Sequence, residues 1–83
     1  MKIGTVVGAV WATKKCPALA GQIFLRVGTE QGEIIAADLV GAGVGERVIL
    51  TGGGAARLDR REVPVDTAIV AILDETEAWH ERR

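Results

Sequence analysis

The stretch Val40-Gly41-Ala42-Gly43-Val44-Gly45-Glu46-Arg47-Val48-Ile49-Leu50-Thr51-Gly52-Gly53-Gly54-Ala55-Ala56-Arg57 sets a glycine-rich turn on either side of one short strand-like run. Glycine stands where a backbone takes positive φ or approaches another backbone closely, and both demands arise in tightly wound small barrels and at crowded symmetric interfaces. Within the run, Val48 and Leu50 alternate with Arg47, Ile49 and Thr51, the period of a strand with one buried face. A phosphate-binding reading of the glycines fails on residue type. Glu46 occupies the position of the third glycine after Gly41 and Gly43, no Lys-Ser or Lys-Thr pair follows any glycine, and strand rather than helix comes next.

Working outward, the chain reads as strand after strand with turn signals between. Lys2 to Thr13 carries apolar or small residues on both faces, which predicts a strand covered on both sides, and Gly4 and Gly8 allow it to coil as the wall of a small barrel must. Lys14 to Gly21, with Pro17, is a loop. Gln22 to Val27 alternates with Ile23, Leu25 and Val27 on one face and Gln22, Phe24 and Arg26 on the other. Gly28 to Glu33 is polar and reads as a hairpin connection. A third strand runs over Glu33 to Val40, ending near Asp38, and a fourth over Glu46 to Thr51. Arg57 to Pro64 is charged and exposed, and Val65 to Leu73 is a fifth, almost continuously apolar strand that suits burial on both sides. Asp74 to Arg83 reads as a short helix, with Asp74 as cap, Glu75 and Glu77 at its positive end and Arg82 and Arg83 at its negative end. About ten residues do not hold a helix alone in water, so Trp79 is expected to dock it onto the barrel or a neighbour.

The fold class that follows is mainly β: one domain over residues 1–83, a five-stranded, partly open OB-like barrel over 1–74 with a short C-terminal helix over about 75–83. A domain of this size buries only about 60% of its unfolded surface. Yet 48% of its residues are apolar, mostly Val, Ile, Leu and Ala, with three aromatics, Trp11, Phe24 and Trp79. Aliphatic surface in excess of one small core is commonly hidden between subunits, so a multimer is expected.

Ten Lys and Arg against eleven Asp and Glu leave a net charge of −1, which provides no field for nucleic acid or an anionic membrane surface. No apolar run reaches the length of a membrane span, and no basic, apolar and small-residue sequence of an export signal opens the chain, so a cytosolic protein is expected. The single Cys16 forms no internal disulfide, in keeping with a reducing compartment. His80 is the one histidine and lies far from Cys16 in sequence, which argues against a metal site or a thiol enzyme. Lys14 and Lys15 beside Cys16 can make a thiol reactive, but nothing else in the chain resembles thiol catalysis. Asp38, Asp66 and Asp74 stand at strand ends, where Asp bonds local backbone groups. The basic residues Arg57, Arg60 and Arg61 are offset by Asp59 and Glu62. No catalytic, cofactor-binding or metal-ligating residue emerges, and the chain is not expected to be an enzyme.

Four blocks, in order, carry a resemblance to a known family. They are Met1-Lys2-Ile3-Gly4-Thr5-Val6-Val7-Gly8-Ala9-Val10-Trp11-Ala12-Thr13-Lys14-Lys15; Pro17-Ala18-Leu19-Ala20-Gly21 ahead of an aliphatic strand; Asp38-Leu39-Val40-Gly41-Ala42-Gly43-Val44-Gly45-Glu46-Arg47-Val48; and Pro64-Val65-Asp66-Thr67-Ala68-Ile69-Val70-Ala71-Ile72-Leu73-Asp74. Together they resemble the vertex proteins of bacterial microcompartment shells, the EutN/CcmL family. The resemblance implies a structural protein of the bacterial cytoplasm, a homopentamer plugging the vertices of a polyhedral shell whose facets are hexameric or pseudohexameric subunits, with no cofactor, nucleic acid or membrane partner. It departs from the family pattern at Gly54 and Ala55, where many members carry two serines, and in a shorter segment between Val27 and Ile34. Gly41, Gly43, Gly45, Gly52, Gly53, Gly54 and Arg57 are expected at the subunit interface or the symmetry axis. Lys14 and Lys15 are candidate edge contacts to the shell hexamers. The alternative from another class is a single-strand nucleic-acid-binding module on the same barrel.

Overall fold

A computed structural model describes residues 1–12, 14–53 and 66–74. Five strands form the fold: β1 (Lys2–Val10), β2 (Phe24–Thr29), β3 (Gly32–Asp38), β4 (Arg47–Gly52) and β5 (Thr67–Ile72), with a 3-10 turn, Pro17–Leu19, before β2. They close in the order β1-β2-β3-β5-β4, with β4 pairing back onto β1. The barrel is therefore closed rather than partly open. All pairs are antiparallel except β3 with β5, a short parallel seam of Ala37 with Ala68 and Asp38 with Ile69. The expected C-terminal helix lies outside the described residues, as do Gly54, Arg57, Trp79 and His80.

Closure requires the long β1 to serve two neighbours. Its first half pairs with β4, from Lys2 with Leu50 to Thr5 with Arg47, and its second half with β2. At the changeover Val6 pairs with Val27 and Gly8 with Arg26, leaving Val7 as an extra residue, a bulge that bends the strand around the barrel. Gly4 is needed for the same wrapping: a Cβ there would fall 2.5 Å from Val27 Cγ1 and 2.9 Å from the Gly28 carbonyl oxygen. A matching bulge at Val70 lies between the pairs Ile49 with Ala71 and Leu50 with Ile69.

Alternation places Val6, Leu25, Val27, Ala36, Val48, Leu50 and Ile69 in one interior cluster. A second, smaller cluster lies on the outer wall, where the 3-10 turn lays Leu19 beside Phe24 over Ala37 and Ala68. Two expectations change as a result. Strand β2 starts at Phe24 rather than Gln22, and Ile23, which alternation puts on one face with the buried Leu25 and Val27, is 61% exposed. Its carbonyl instead accepts the N–H of Asp38 at 2.8 Å at the mouth of the strand. Strand β1 ends at Val10, and its outer face is not covered within the subunit: Ile3 and Val7 are exposed. On β5 the outward residues are likewise only partly covered, and Ile72 is exposed.

The hairpin between β2 and β3 is tighter than its polar stretch suggests. Thr29 pairs with Gly32, so Glu30 and Gln31 alone make the turn, with Gly32 at φ +112°. The Thr29 hydroxyl locks it, donating to the Gly32 carbonyl at 2.8 Å and accepting the Gln31 N–H at 3.2 Å.

Candidate functional site

The first glycine-rich turn is built by two carboxylates. Where β3 ends, the short Asp38 side chain folds back on the loop it introduces: Oδ1 accepts the N–H groups of Val40, Gly41 and Ala42 at 3.1, 3.0 and 3.2 Å, and Oδ2 accepts that of Ala42 at 3.0 Å. Glu46 holds the other half, its Oε1 accepting the Gly43 N–H at 2.6 Å while its own N–H donates to the Gly43 carbonyl at 3.1 Å. The loop's edges are pinned to the barrel: Leu39 N–H donates to Ile69, Gly45 N–H to Val6, and Val6 N–H to Glu46. Ala42 packs against the interior cluster from below.

This arrangement explains why the glycines do not make a phosphate cradle. Every N–H from Leu39 to Gly43 already donates to the chain's own oxygens. An incoming phosphate would have to displace two carboxylates of its own sign. The loop is instead a stiff platform that displays Leu39, Val40 and Val44 to solvent, Val44 at 72% exposure. An apolar surface held in place before it binds loses little entropy when a partner covers it.

The glycines divide by physical cause. Gly41, Gly45 and Gly53 have φ of +79°, +91° and +64°, so the subunit's own backbone demands them. Gly52 is tight against the Asp66 carbonyl oxygen, 3.3 Å from where its Cβ would lie, and Gly53 N–H donates to that same oxygen. Gly43 differs: its φ is ordinary and a Cβ would make only a 3.5 Å contact with Glu46 Oε1. Lys14 and Lys15 are exposed on the connection between β1 and the 3-10 turn, beside the exposed thiol of Cys16. Among the described residues neither lysine makes a hydrogen bond or an ion pair.

Sequence reasoning missed part of the apolar surface. Ile35 is 56% exposed in the middle of β3, flanked on the wall by an ion pair of Arg26 and Glu33 at 3.6 Å. The signal was the doublet Ile34-Ile35, since in a strand one of two successive residues faces outward. Trp11 and Ile23, 91% and 61% exposed, lie just past the last registered pair of β1 and β2, Val10 with Phe24.

Among the described residues, a closed barrel with a stapled loop and bare aliphatic walls has the architecture of a building block. The family model described as ethanolamine utilisation protein EutN/carboxysome matches residues 1–74, and the chain belongs to that family. The chain is similar to the carboxysome shell vertex protein CcmL of Synechococcus elongatus, 45% identical over 83 residues that cover 89% of this chain and 84% of that protein. Similarity to the microcompartment shell vertex protein PduN of Salmonella typhimurium is 39% over 87 residues, covering 89% and 96%. Among solved structures, the pentameric microcompartment shell protein GrpN of Rhodospirillum rubrum superposes with a TM-score of 0.81 at 34% identity, covering 89% of this chain and 94% of that one. These relatives are shell proteins rather than enzymes, which favours the structural role over the nucleic-acid-binding alternative.

Proposed function

We propose that this chain is a structural subunit of a bacterial microcompartment shell, a homopentamer that caps the shell's vertices in the cytoplasm. Hexagonal sheets are flat, and a polyhedron closes only where fivefold units replace sixfold ones, so the role needs a ring-forming block rather than a catalyst. One observation carries the reading: the vertex-protein relatives match over nearly the whole barrel, including a close structural match to a pentameric shell protein. The single domain over 1–83, with its C-terminal segment docked on the barrel or a neighbour, belongs to this proposal.

Within it, the loop of Gly41, Gly43 and Gly45 and the turn of Gly52, Gly53 and Gly54 with Arg57 lie at subunit contacts or around the fivefold axis, where a Cβ on every subunit would crowd. Lys14 and Lys15 contact the hexameric or pseudohexameric neighbours, to which they offer exposed positive charge. The test is native mass at micromolar concentration. A subunit of 8.8 kDa predicts 5 × 8.8, or about 44 kDa, for the closed ring. A monomer that persists at high concentration would overturn the proposal.

A further inference from the structure

The exposed aliphatic residues on the barrel wall are not spread evenly. On the seam between β1 and β4, Ile3 pairs directly with Ile49, and both alternate with interior residues, so both face outward. They floor an open groove of about 540 Å³ whose rim is Met1, Thr29, Glu30 and Gln31, with the Lys2 ammonium donating to Gln31 Oε1 at 3.0 Å. The second site is Ile35, between the inward-facing Ile34 and Ala36 on β3. Below it Leu19 covers the wall, and above it the wall is polar at Glu33, so Ile35 stands as a single uncovered knob.

Barrel order fixes where these two sites lie. Around the circuit β1-β2-β3-β5-β4, β3 is separated from the β1–β4 seam by β2 on one side and β5 on the other. The floor of the groove and the knob therefore lie on different walls, while the β2–β3 hairpin closes the groove's rim. A cyclic assembly places one patch of each subunit against a different, complementary patch of the next, which requires two unlike surfaces on two sides of the barrel. An isologous dimer would need only one. The rims are complementary in sign as well: Lys2 and Glu30 border the groove, and Glu33 and Arg26 border the knob.

We propose that the occupant of the Ile3–Ile49 groove is Ile35 of the adjacent copy, with the partner's Arg26 and Glu33 meeting Glu30 and Lys2 at the edge. This rests on the pentameric reading above and names the two faces that make its contact. The apolar pair excludes water at the centre, and the charges at the rim fix the register of one subunit on the next.

A cross-linking experiment on the full chain separates this contact from others. In a Cys16→Ser background, Ile3→Cys and Ile35→Cys are introduced singly and together, and each protein is treated with a short bismaleimide. The double variant is expected to give a denaturing-gel ladder extending to five subunits, and each single variant no cross-link. A double variant that runs as a pentamer in native mass but forms no ladder overturns the groove-and-knob contact while leaving the pentamer standing. Efficient dimers from either single variant overturn it too, because they would place like faces together. A second pair of variants, Ile3→Lys and Ile35→Lys, keeps the fold because both side chains are exposed in the subunit. Each is expected to shift native mass from about 44 to about 8.8 kDa, and full pentamer from either overturns the proposal. A monomeric wild-type protein would instead sink the pentameric reading itself.

Discussion

The carboxylate of Asp38 grips the backbone N–H of Ala42 with both oxygens, at 3.2 and 3.0 Å, while one of them also accepts from Val40 and Gly41. One side chain thus satisfies three donors that β3 leaves behind as it ends, and it does so from a half-buried position where water is a poor substitute. Asp38→Ala is expected to lower subunit stability by about 2–3 kcal/mol, in the range for bonds to a charged acceptor. Asp38→Asn, which keeps one acceptor oxygen, should lose clearly less. Urea unfolding at one fixed protein concentration measures both, since assembly would otherwise make stability concentration-dependent. An Asp38→Ala protein as stable as wild type would show that the loop is held by its barrel contacts alone.

Two of the barrel-wall glycines, Gly4 and Gly28, make a matched pair of probes. At Gly4 an added methyl meets a core side chain and a backbone oxygen inside van der Waals contact, and the barrel has to open to accept it. At Gly28 the nearest atoms are 3.6 and 3.8 Å away, ordinary contact. Gly4→Ala is expected to cost about 1–3 kcal/mol through overpacking. Gly28→Ala should be neutral or stabilising by up to about 1 kcal/mol, because it narrows the unfolded ensemble. Thermal melts of the two variants side by side decide it, and equal losses would argue against close wrapping at Gly4.

The first glycine-rich turn is expected not to bind nucleotide or phosphate. With the N–H groups of the turn committed to Asp38 and Glu46, millimolar inorganic phosphate or a nucleoside triphosphate should leave the amide resonances of Val40 to Gly43 unmoved. Saturable shifts confined to those amides would mean that the carboxylates yield to a ligand.

Strand existence was legible because Val48 and Leu50, Leu25 and Val27, and the glycine-bearing turns carry a period-two pattern that sterics translate directly into two faces. Less legible were features set by partners distant in sequence. Alternation puts Ile23 on one face with Leu25 and Val27, yet the 3-10 turn and the bond to Asp38 hold it outside β2. The bulges at Val7 and Val70 depend on how β1 is shared between β2 and β4, which no local pattern encodes. For the candidate site, residue type alone put all the glycines in one class. Among the described loop glycines, backbone angles together with the room for a Cβ separate those the subunit itself requires from the one it does not.

Gly43 is that one, and it yields the most discriminating prediction about assembly. Substituting Gly41 or Gly45 confounds two effects, because an L-residue at positive φ costs about 1–2 kcal/mol before any neighbour is considered. At Gly43 the subunit has ordinary φ and room for a methyl, so Gly43→Ala is expected to melt within about 1 kcal/mol of wild type when the comparison is made on dissociated subunits. If the loop packs against a neighbour or around the fivefold axis, the larger Gly43→Leu should lower the pentamer fraction sharply while the subunit's far-ultraviolet circular dichroism stays unchanged. Ala12→Leu, exposed on the connection after β1, serves as a size control outside the loop. Native mass across a dilution series reads the pentamer fraction for each variant. Wild-type dissociation behaviour in Gly43→Leu would move the loop to a free surface and leave the walls of the barrel to carry the ring.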